Sequence, residues 1–261
     1  MFSTQYAIDI KLKRKAVPTF DRYPFSLAAV RNLDVLEFHP HVTFLIGENG
    51  SGKSTLLEAI AVSFGFNPEG GTKNFNFGTR PSHSSLNEYI RISRGIRRPK
   101  DGFFLRAESF FNVATEIERL DSEPLGPRVI DSYGGTSLHE QSHGESFMAL
   151  MMNRFRGNGL YLLDEPEAAL SPQRQLAALS RMHALVNLDS QFIIATHSPI
   201  LMAYPDAYIY NFCDDGIRKI SYHDTEHYQV MRAFLANPKR MLDVLLASDT
   251  ANTSARSKSR I

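Results

Sequence analysis

The residues with the plainest chemistry run from 47 to 55: Gly47-Glu48-Asn49-Gly50-Ser51-Gly52-Lys53-Ser54-Thr55. This is a glycine, four residues, a second glycine, a lysine and a hydroxyl residue, set between a strand-like run and a helix-like run, the context that makes the pattern a phosphate loop. Glycines let backbone N–H groups turn inward and reach phosphate oxygens with no Cβ in the way. A helix opening at Lys53 aims the positive end of its dipole at the same anion. Lys53 supplies a mobile point charge for the β- and γ-phosphates. The Ser54 hydroxyl can ligate Mg²⁺, which prefers oxygen. A glycine-rich turn is the alternative, and the flanking strand and helix argue against it.

Two more groups sit where apolar runs end. Asp164-Glu165-Pro166-Glu167 follow Gly159-Leu-Tyr-Leu-Leu163. Asp164, at a strand end beside the loop, is placed as the second Mg²⁺ partner. Glu165 is placed to polarise a water in line with the γ-phosphate as general base. Glu167 is read as a turn residue with no catalytic role. Thr196-His197-Ser198-Pro199 follow the run 191–195. His197, ending a neighbouring strand, would donate to the γ-phosphate or hold Glu165 in place. A surface acid pair and a structural histidine are the plainer alternatives.

The elements that must position these residues are legible from the patterns. Strands are expected over 5–13, 30–38, 41–46, 88–94, 102–107, 159–163, 191–195, 207–211 and 217–222. Helices are expected from Lys53 to about Phe64, near 109–121, from about Gly144 to Phe155, from Ser171 to Leu188 and around 226–246. Ser171 with Pro172 is a strong helix start. Residues 65–87 and 122–143 read as irregular. Short buried strands alternating with helices describe an α/β fold with a mostly parallel sheet. The region 225–246, with Pro238 inside it, reads as an amphipathic helix packed on the core.

Composition narrows the class. The 261 residues hold 29 Lys and Arg against 28 Asp and Glu, a formal net charge of +1, with 43% hydrophobic residues. That is an ordinary globular balance, and one broad basic surface is excluded. Positive charge is nevertheless local: Arg91, Arg94, Arg97, Arg98 and Lys100 fall within ten residues, and Lys11, Lys13, Arg14 and Lys15 within five. These read as solvated faces or as a surface for nucleic-acid phosphates. The single Cys213 excludes an internal disulfide and fits a reducing, cytoplasmic setting. No secretory h-region and no membrane-spanning run are expected, and no heptad pattern supports a long coiled-coil arm.

Taken together, residues 44–55 (FLIGENGSGKST), 160–175 (LYLLDEPEAALSPQRQ) and 191–199 (QFIIATHSP) resemble the ABC-type ATPase superfamily, in its soluble SMC/RecF-like branch. The resemblance implies a P-loop head with an antiparallel β lobe, ATP and Mg²⁺ as ligands, and ATP hydrolysis. It implies one domain over 1–261: a phosphate-loop lobe at about 1–110, a second lobe at about 111–225, and a C-terminal helix and tail from 226. It also supplies a signature element, matched by Gln141-Ser142-His143-Gly144-Glu145, in which Ser142 and Gly144 fit while His143 replaces a glycine. Ser142 with Glu145 also reads as a capping box. The family's glutamine after the first-lobe strand is absent, and Glu108 is the candidate in its place as a metal-site residue. Arg31 is carried over as a nucleotide neighbour, and the adenine-stacking aromatic stays open among Tyr23, Phe25 and Phe38.

The resemblance further implies a nucleotide-dependent homodimer, paired head-to-tail, working in a DNA-related or defence-related process with DNA or a partner protein. The alternatives are the motor subunit of a membrane transporter and a non-hydrolysing ATP sensor that docks a partner. The 34 positions from Glu108 to Ser142 are few for a transporter's helical subdomain.

Overall fold

The computed structural model describes residues 5–73, 84–107, 110–122 and 128–257. Nine strands and nine α-helices are assigned among them. The strands are β1 (Ala7–Leu12), β2 (Val35–Glu37), β3 (Val42–Gly47), β4 (Ile90–Arg94), β5 (Asp101–Arg106), β6 (Gly159–Asp164), β7 (Gln191–Ala195), β8 (Tyr208–Cys213) and β9 (Gly216–Ile220). The helices are α1 (Ala28–Arg31), α2 (Lys53–Ser63), α3 (Leu86–Tyr89), α4 (Phe110–Asp121), α5 (His143–Ala149), α6 (Pro172–Val186), α7 (Pro199–Met202), α8 (Glu226–Ala236) and α9 (Pro238–Ser257).

Every residue of β3, β6 and β7 is buried, as expected of strands covered on both faces. They form the centre of a six-stranded sheet of order β5-β6-β7-β3-β8-β9, parallel except for the final β8–β9 pair. A three-stranded antiparallel sheet, β2-β1-β4, makes up the N-terminal lobe. The mixed α/β architecture with a mostly parallel sheet and an antiparallel lobe is therefore as expected. Because β7 lies between β3 and β6, Ala195 stands opposite both Leu45 and Asp164. That register brings the ends of three strands far apart in sequence to one edge, where loops rather than side chains of the core must do the chemistry.

One buried amide locks the two sheets together. The Gln191 side chain accepts from the N–H groups of Tyr6 and Ala7 at 3.0 and 2.8 Å, and donates to Ala7 O and His39 O at 2.8 and 3.0 Å. It bonds four backbone groups of the N-terminal lobe and of the segment before β3.

Several expectations need correction. The first half of 30–38 is not strand: Ala28–Arg31 form a helical turn, in keeping with two strong helix formers at 28 and 29, and only Val35–Glu37 pair. The helix expected over 144–155 ends at Ala149 and continues as a π-helical turn, Leu150–Arg154. The helix expected over 226–246 is two helices, because Pro238 lacks an N–H and opens a new one after Asn237. The described residues up to Ile220 form one compact unit and those from Ser221 a second. In the second unit Thr225 caps α8, accepting from Tyr228 N at 3.3 Å. No residue of α8 is buried. Among the described residues no helix is long and apolar enough to cross a membrane.

Candidate functional site

The loop between β3 and α2 has the backbone that its glycines permit. Gly47 has φ +135°, and a Cβ there would lie 2.5 Å from Phe212 O of β8. Gly52 caps α2 at φ +100°. The Lys53 ammonium folds back into the loop and donates to Gly47 O and Glu48 O, each at 2.8 Å. Its side chain is almost wholly buried, and burial holds its pKa below the usual lysine value, opposed by the negative charges of Glu165, Asp164 and Glu167. The Ser51 hydroxyl is buried with no partner among the described residues. A buried cation and an orphaned donor facing one loop fit a phosphate group.

Ser54 follows Lys53, and its hydroxyl donates to Asp164 Oδ1 at 3.0 Å. Asp164 ends β6 and is buried. Hydroxyl and carboxylate together are an all-oxygen donor pair suited to Mg²⁺, an ion that completes its shell from water and substrate phosphates rather than from a protein cage. Among the described residues no group of three or more His, Cys, Asp or Glu could cage a metal.

Glu165 occupies the left-handed region at φ 50°, ψ 51°. For a residue with a Cβ this costs about 1–2 kcal/mol. The turn is held by Glu165 N donating to Ala195 O at 2.9 Å and by Ala168 N donating to Glu165 O at 3.1 Å. This turn directs the carboxylate out of the strand, 41% exposed, with Oε1 3.6 Å from His197 Nε2. Burial, and then the charge of Lys53, lower the His197 pKa, against the pull of Glu165. The neutral imidazole, which these influences favour, can donate or accept.

Glu167, a turn residue without a catalytic role on sequence grounds, is part of this cluster. Its Oε1 accepts from the His197 backbone N–H at 2.6 Å. Burial pushes its carboxyl up from the ordinary value, while bonds from His197 N and the Thr196 side chain act the other way. Ser198 caps α7 and donates to Gln175 Oε1 at 2.5 Å, pinning the histidine segment to α6.

The remaining expected residues divide. The hydroxyls of Thr55 and Tyr23 are 3.2 Å apart. Tyr23 is 62% exposed whereas Phe25 and Phe38 are core residues, so of these three it is Tyr23 that presents an exposed ring beside Thr55. The Arg31 guanidinium donates to Phe20 O at 2.6 Å and lies 3.9 Å from Asp21, so among the described residues its polar partners belong to that segment and not to the phosphate loop. Ser142 donates through both N–H and hydroxyl to Glu145 Oε2, at 3.1 and 2.6 Å, so the expected reciprocal cap is formed in that sense. Gly144 is required by packing, since a Cβ would lie 2.6 Å from Ala169 O. This signature segment packs on the turn 166–169 and on Arg174. Glu108 lies outside the described residues. Sequence reasoning missed the ion pair of Glu58, on α2, with Arg106, at 2.7 Å with both side chains largely buried. Its signal was an acid inside the apolar helix 56–62, and Arg106 is the β5 partner of Asp164.

Two family models match the chain: an AAA domain over residues 24–123, and an AAA domain described as a candidate AbiEii toxin of a type IV TA system over residues 91–203. Together they span the phosphate loop, the Asp164-Glu165 strand end and His197. Both matches are to AAA domains, in agreement with the resemblance to the ABC-type ATPase superfamily that the motifs carry. Among solved structures the chain is similar to the SMC head domain from Thermotoga maritima, at 17% identity over 83% of this chain and 99% of that one, with a TM-score of 0.42. It is similar to a dimeric bacterial ABC transporter cassette at 16% identity over 74% and 91% of the two chains, with a TM-score of 0.44. It is similar to cbiO1 from Clostridium perfringens, part of an ABC transporter complex, at 17% identity over 82% and 90%, again with a TM-score of 0.44. The sequence matches no curated protein.

Proposed function

We propose that this chain binds ATP with Mg²⁺ and hydrolyses it, and that two copies close head-to-tail around two nucleotides. The observation that carries the reading is the meeting of Lys53, Ser54, Asp164, Glu165 and His197 at one edge of the parallel sheet.

In this reading Lys53 exchanges its two carbonyl partners for β- and γ-phosphate oxygens, with the N–H groups of Gly50 to Thr55 as the cradle. Ser54 and Asp164 hold Mg²⁺, which when bound neutralises charge developing on the phosphates. Glu165 accepts a proton from the attacking water as the new P–O bond forms and the bond to the ADP oxygen breaks. His197 orients Glu165 and donates to the γ-phosphate. Tyr23 stacks on the adenine.

The signature segment packs on the turn 166–169 and Arg174, and in this reading its partner is a second copy: Ser142 and Gly144 of one protomer would meet the γ-phosphate held by the other. Each charge-assisted bond to that phosphate contributes about 1.5–3 kcal/mol, so hydrolysis loosens the dimer and converts chemistry into motion. The setting we propose is cytoplasmic, in a DNA-related or defence-related process. The toxin system named in the second family description supports the defence side of that reading.

The test is Glu165→Gln. It should keep ATP binding, abolish phosphate release and run as a dimer on a sizing column with ATP. A variant that stays monomeric at saturating ATP refutes the dimer switch, and one that still turns over refutes the general base.

A further inference from the structure

The basic run at 94–100 is not absorbed by the nucleotide site, and the fold puts it at the opposite end of the molecule's main sheet. Asp101, Gly159 and Gln191 begin β5, β6 and β7, and these strands run parallel toward Arg106, Asp164 and Ala195. Strands of five or six residues at about 3.3 Å per residue separate the two edges by roughly 15–20 Å. At the starting edge Lys100 N donates to Asn158 O at 2.8 Å, and Asn158 N donates to Leu188 O at 2.6 Å. Here Tyr6, Arg97, Arg98, Lys100 and Asn158 line a recess of about 410 Å³.

The charge at this recess is lopsided. Arg97 lies 3.5 Å from Asp189, with both side chains about half exposed. An ion pair so exposed is weak and readily exchanged for another anion. Arg98 and Lys100 form no ion pair among the described residues. The nearby Asp101 carboxylate is already neutralised by Arg154 at 2.7 Å. Arg94 donates to Ser63 O at 2.5 Å and lies over the Phe64 ring at 4.9 Å, at the C-terminal end of α2. Lys73 sits over the Phe66 ring at 5.2 Å. Burial, and then the charges of Arg94 and Arg98, lower the Lys73 pKa, so these three cations share one field. Arg97, Arg98, Lys100, Lys73 and Arg94 thus share this side of the fold with the Asp189 carboxylate and, beside Arg94, with Asp9, which accepts from the Ser93 hydroxyl at 2.8 Å.

We infer that this edge binds the phosphodiester backbone of a nucleic acid, with Arg97, Arg98 and Lys100 around the recess and Lys73 and Arg94 extending the track. Guanidinium groups fit phosphate oxygens two at a time. The cations are spread along an edge instead of converging on one point, which suits successive phosphates. The one aromatic ring in the recess, Tyr6, is 2% exposed, and its hydroxyl is committed to Asp189 O at 2.8 Å. It offers bases nothing to stack on, so recognition is of the backbone and independent of sequence. No residue is shared with the nucleotide site, and the inference stands whether or not the ATPase reading holds.

The experiment is fluorescence anisotropy of a labelled random-sequence DNA duplex of about 30 base pairs with the full chain, over about 50–200 mM salt. The wild type should bind, with log affinity falling linearly against log salt. The combined substitution Arg97→Ala, Arg98→Ala and Lys100→Ala should weaken binding at least about tenfold and reduce the salt slope by about 0.9 for each phosphate that is no longer neutralised. Arg97→Lys with Arg98→Lys should keep most of the slope, which separates a missing charge from a damaged fold. Lys53→Ala should bind DNA as the wild type does. The inference is overturned if the wild type does not bind, if the alanine variant keeps the full slope, or if Lys53→Ala abolishes binding. It is also overturned if free tripolyphosphate or poly-glutamate of matched charge competes as well as DNA, because the ligand is then a free phosphate or an acidic protein.

Discussion

Glu167 Oε1 accepts a 2.6 Å hydrogen bond from the backbone N–H of His197. A turn residue after the general-base candidate thereby fixes the peptide carrying the histidine. Glu167→Gln keeps the acceptor, and Glu167→Ala removes it and leaves a buried N–H unpaired. The alanine variant should lose about 1–3 kcal/mol of stability. Burial raises the Glu167 pKa, so its contribution is full below the unfolded carboxyl value and is lost as pH rises through the folded one. Glu167→Gln should therefore gain on the wild type in thermal melts as pH rises, and parallel pH profiles would contradict the assignment.

His197 behaves in the opposite sense. Its folded pKa is lowered, so protonation destabilises the folded state as pH falls below about 6.5, the unfolded value. Its imidazole proton signals should titrate below free histidine. His197→Ala should lower kcat at least about tenfold with little change in KM. A normal titration midpoint, or an unaltered kcat, would remove it from the site.

Tyr23 is the exposed ring beside Thr55. Base–aromatic stacking is worth about 1–3 kcal/mol, so Tyr23→Ala should raise the ATP Kd by about 5- to 150-fold, read by titration calorimetry. Tyr23→Phe should stay within about threefold of the wild type, because it keeps the ring. Equal affinity of the alanine variant would reassign the adenine contact.

Arg106 and Glu58 form a buried ion pair. Arg106→Met alone leaves the Glu58 carboxylate buried with the bond from Ser84 N, and should destabilise by about 3–5 kcal/mol in a denaturant melt. Adding Glu58→Leu should restore most of that stability. A double variant no better than the single one would mean that the pair is not a unit.

Ser54→Ala should leave ATP binding without Mg²⁺ close to that of the wild type and abolish the tightening that Mg²⁺ brings, since it removes one oxygen of the Ser54–Asp164 pair. Equal tightening in the variant would place the ion elsewhere.

The amino-acid sequence by itself determined the phosphate loop, because Gly47, Gly52, Lys53 and Ser54 act within one turn whose backbone demands are local. It also determined the buried strands ending at Asp164 and Ala195, since unbroken apolar runs can sit only in a covered sheet. Tertiary structure decided what depended on distance. Tyr23 could not be told from Phe25 and Phe38, because exposure follows from packing across the lobe. The bond from His197 to Glu167 arises because β6 and β7 are neighbours in register, and the turns that follow them meet. The Glu58–Arg106 pair joins a helix and a strand 48 positions apart. The break at Asn237 was written in Pro238, whose missing N–H cannot continue the helix, yet an amphipathic pattern describes a face without saying what covers it.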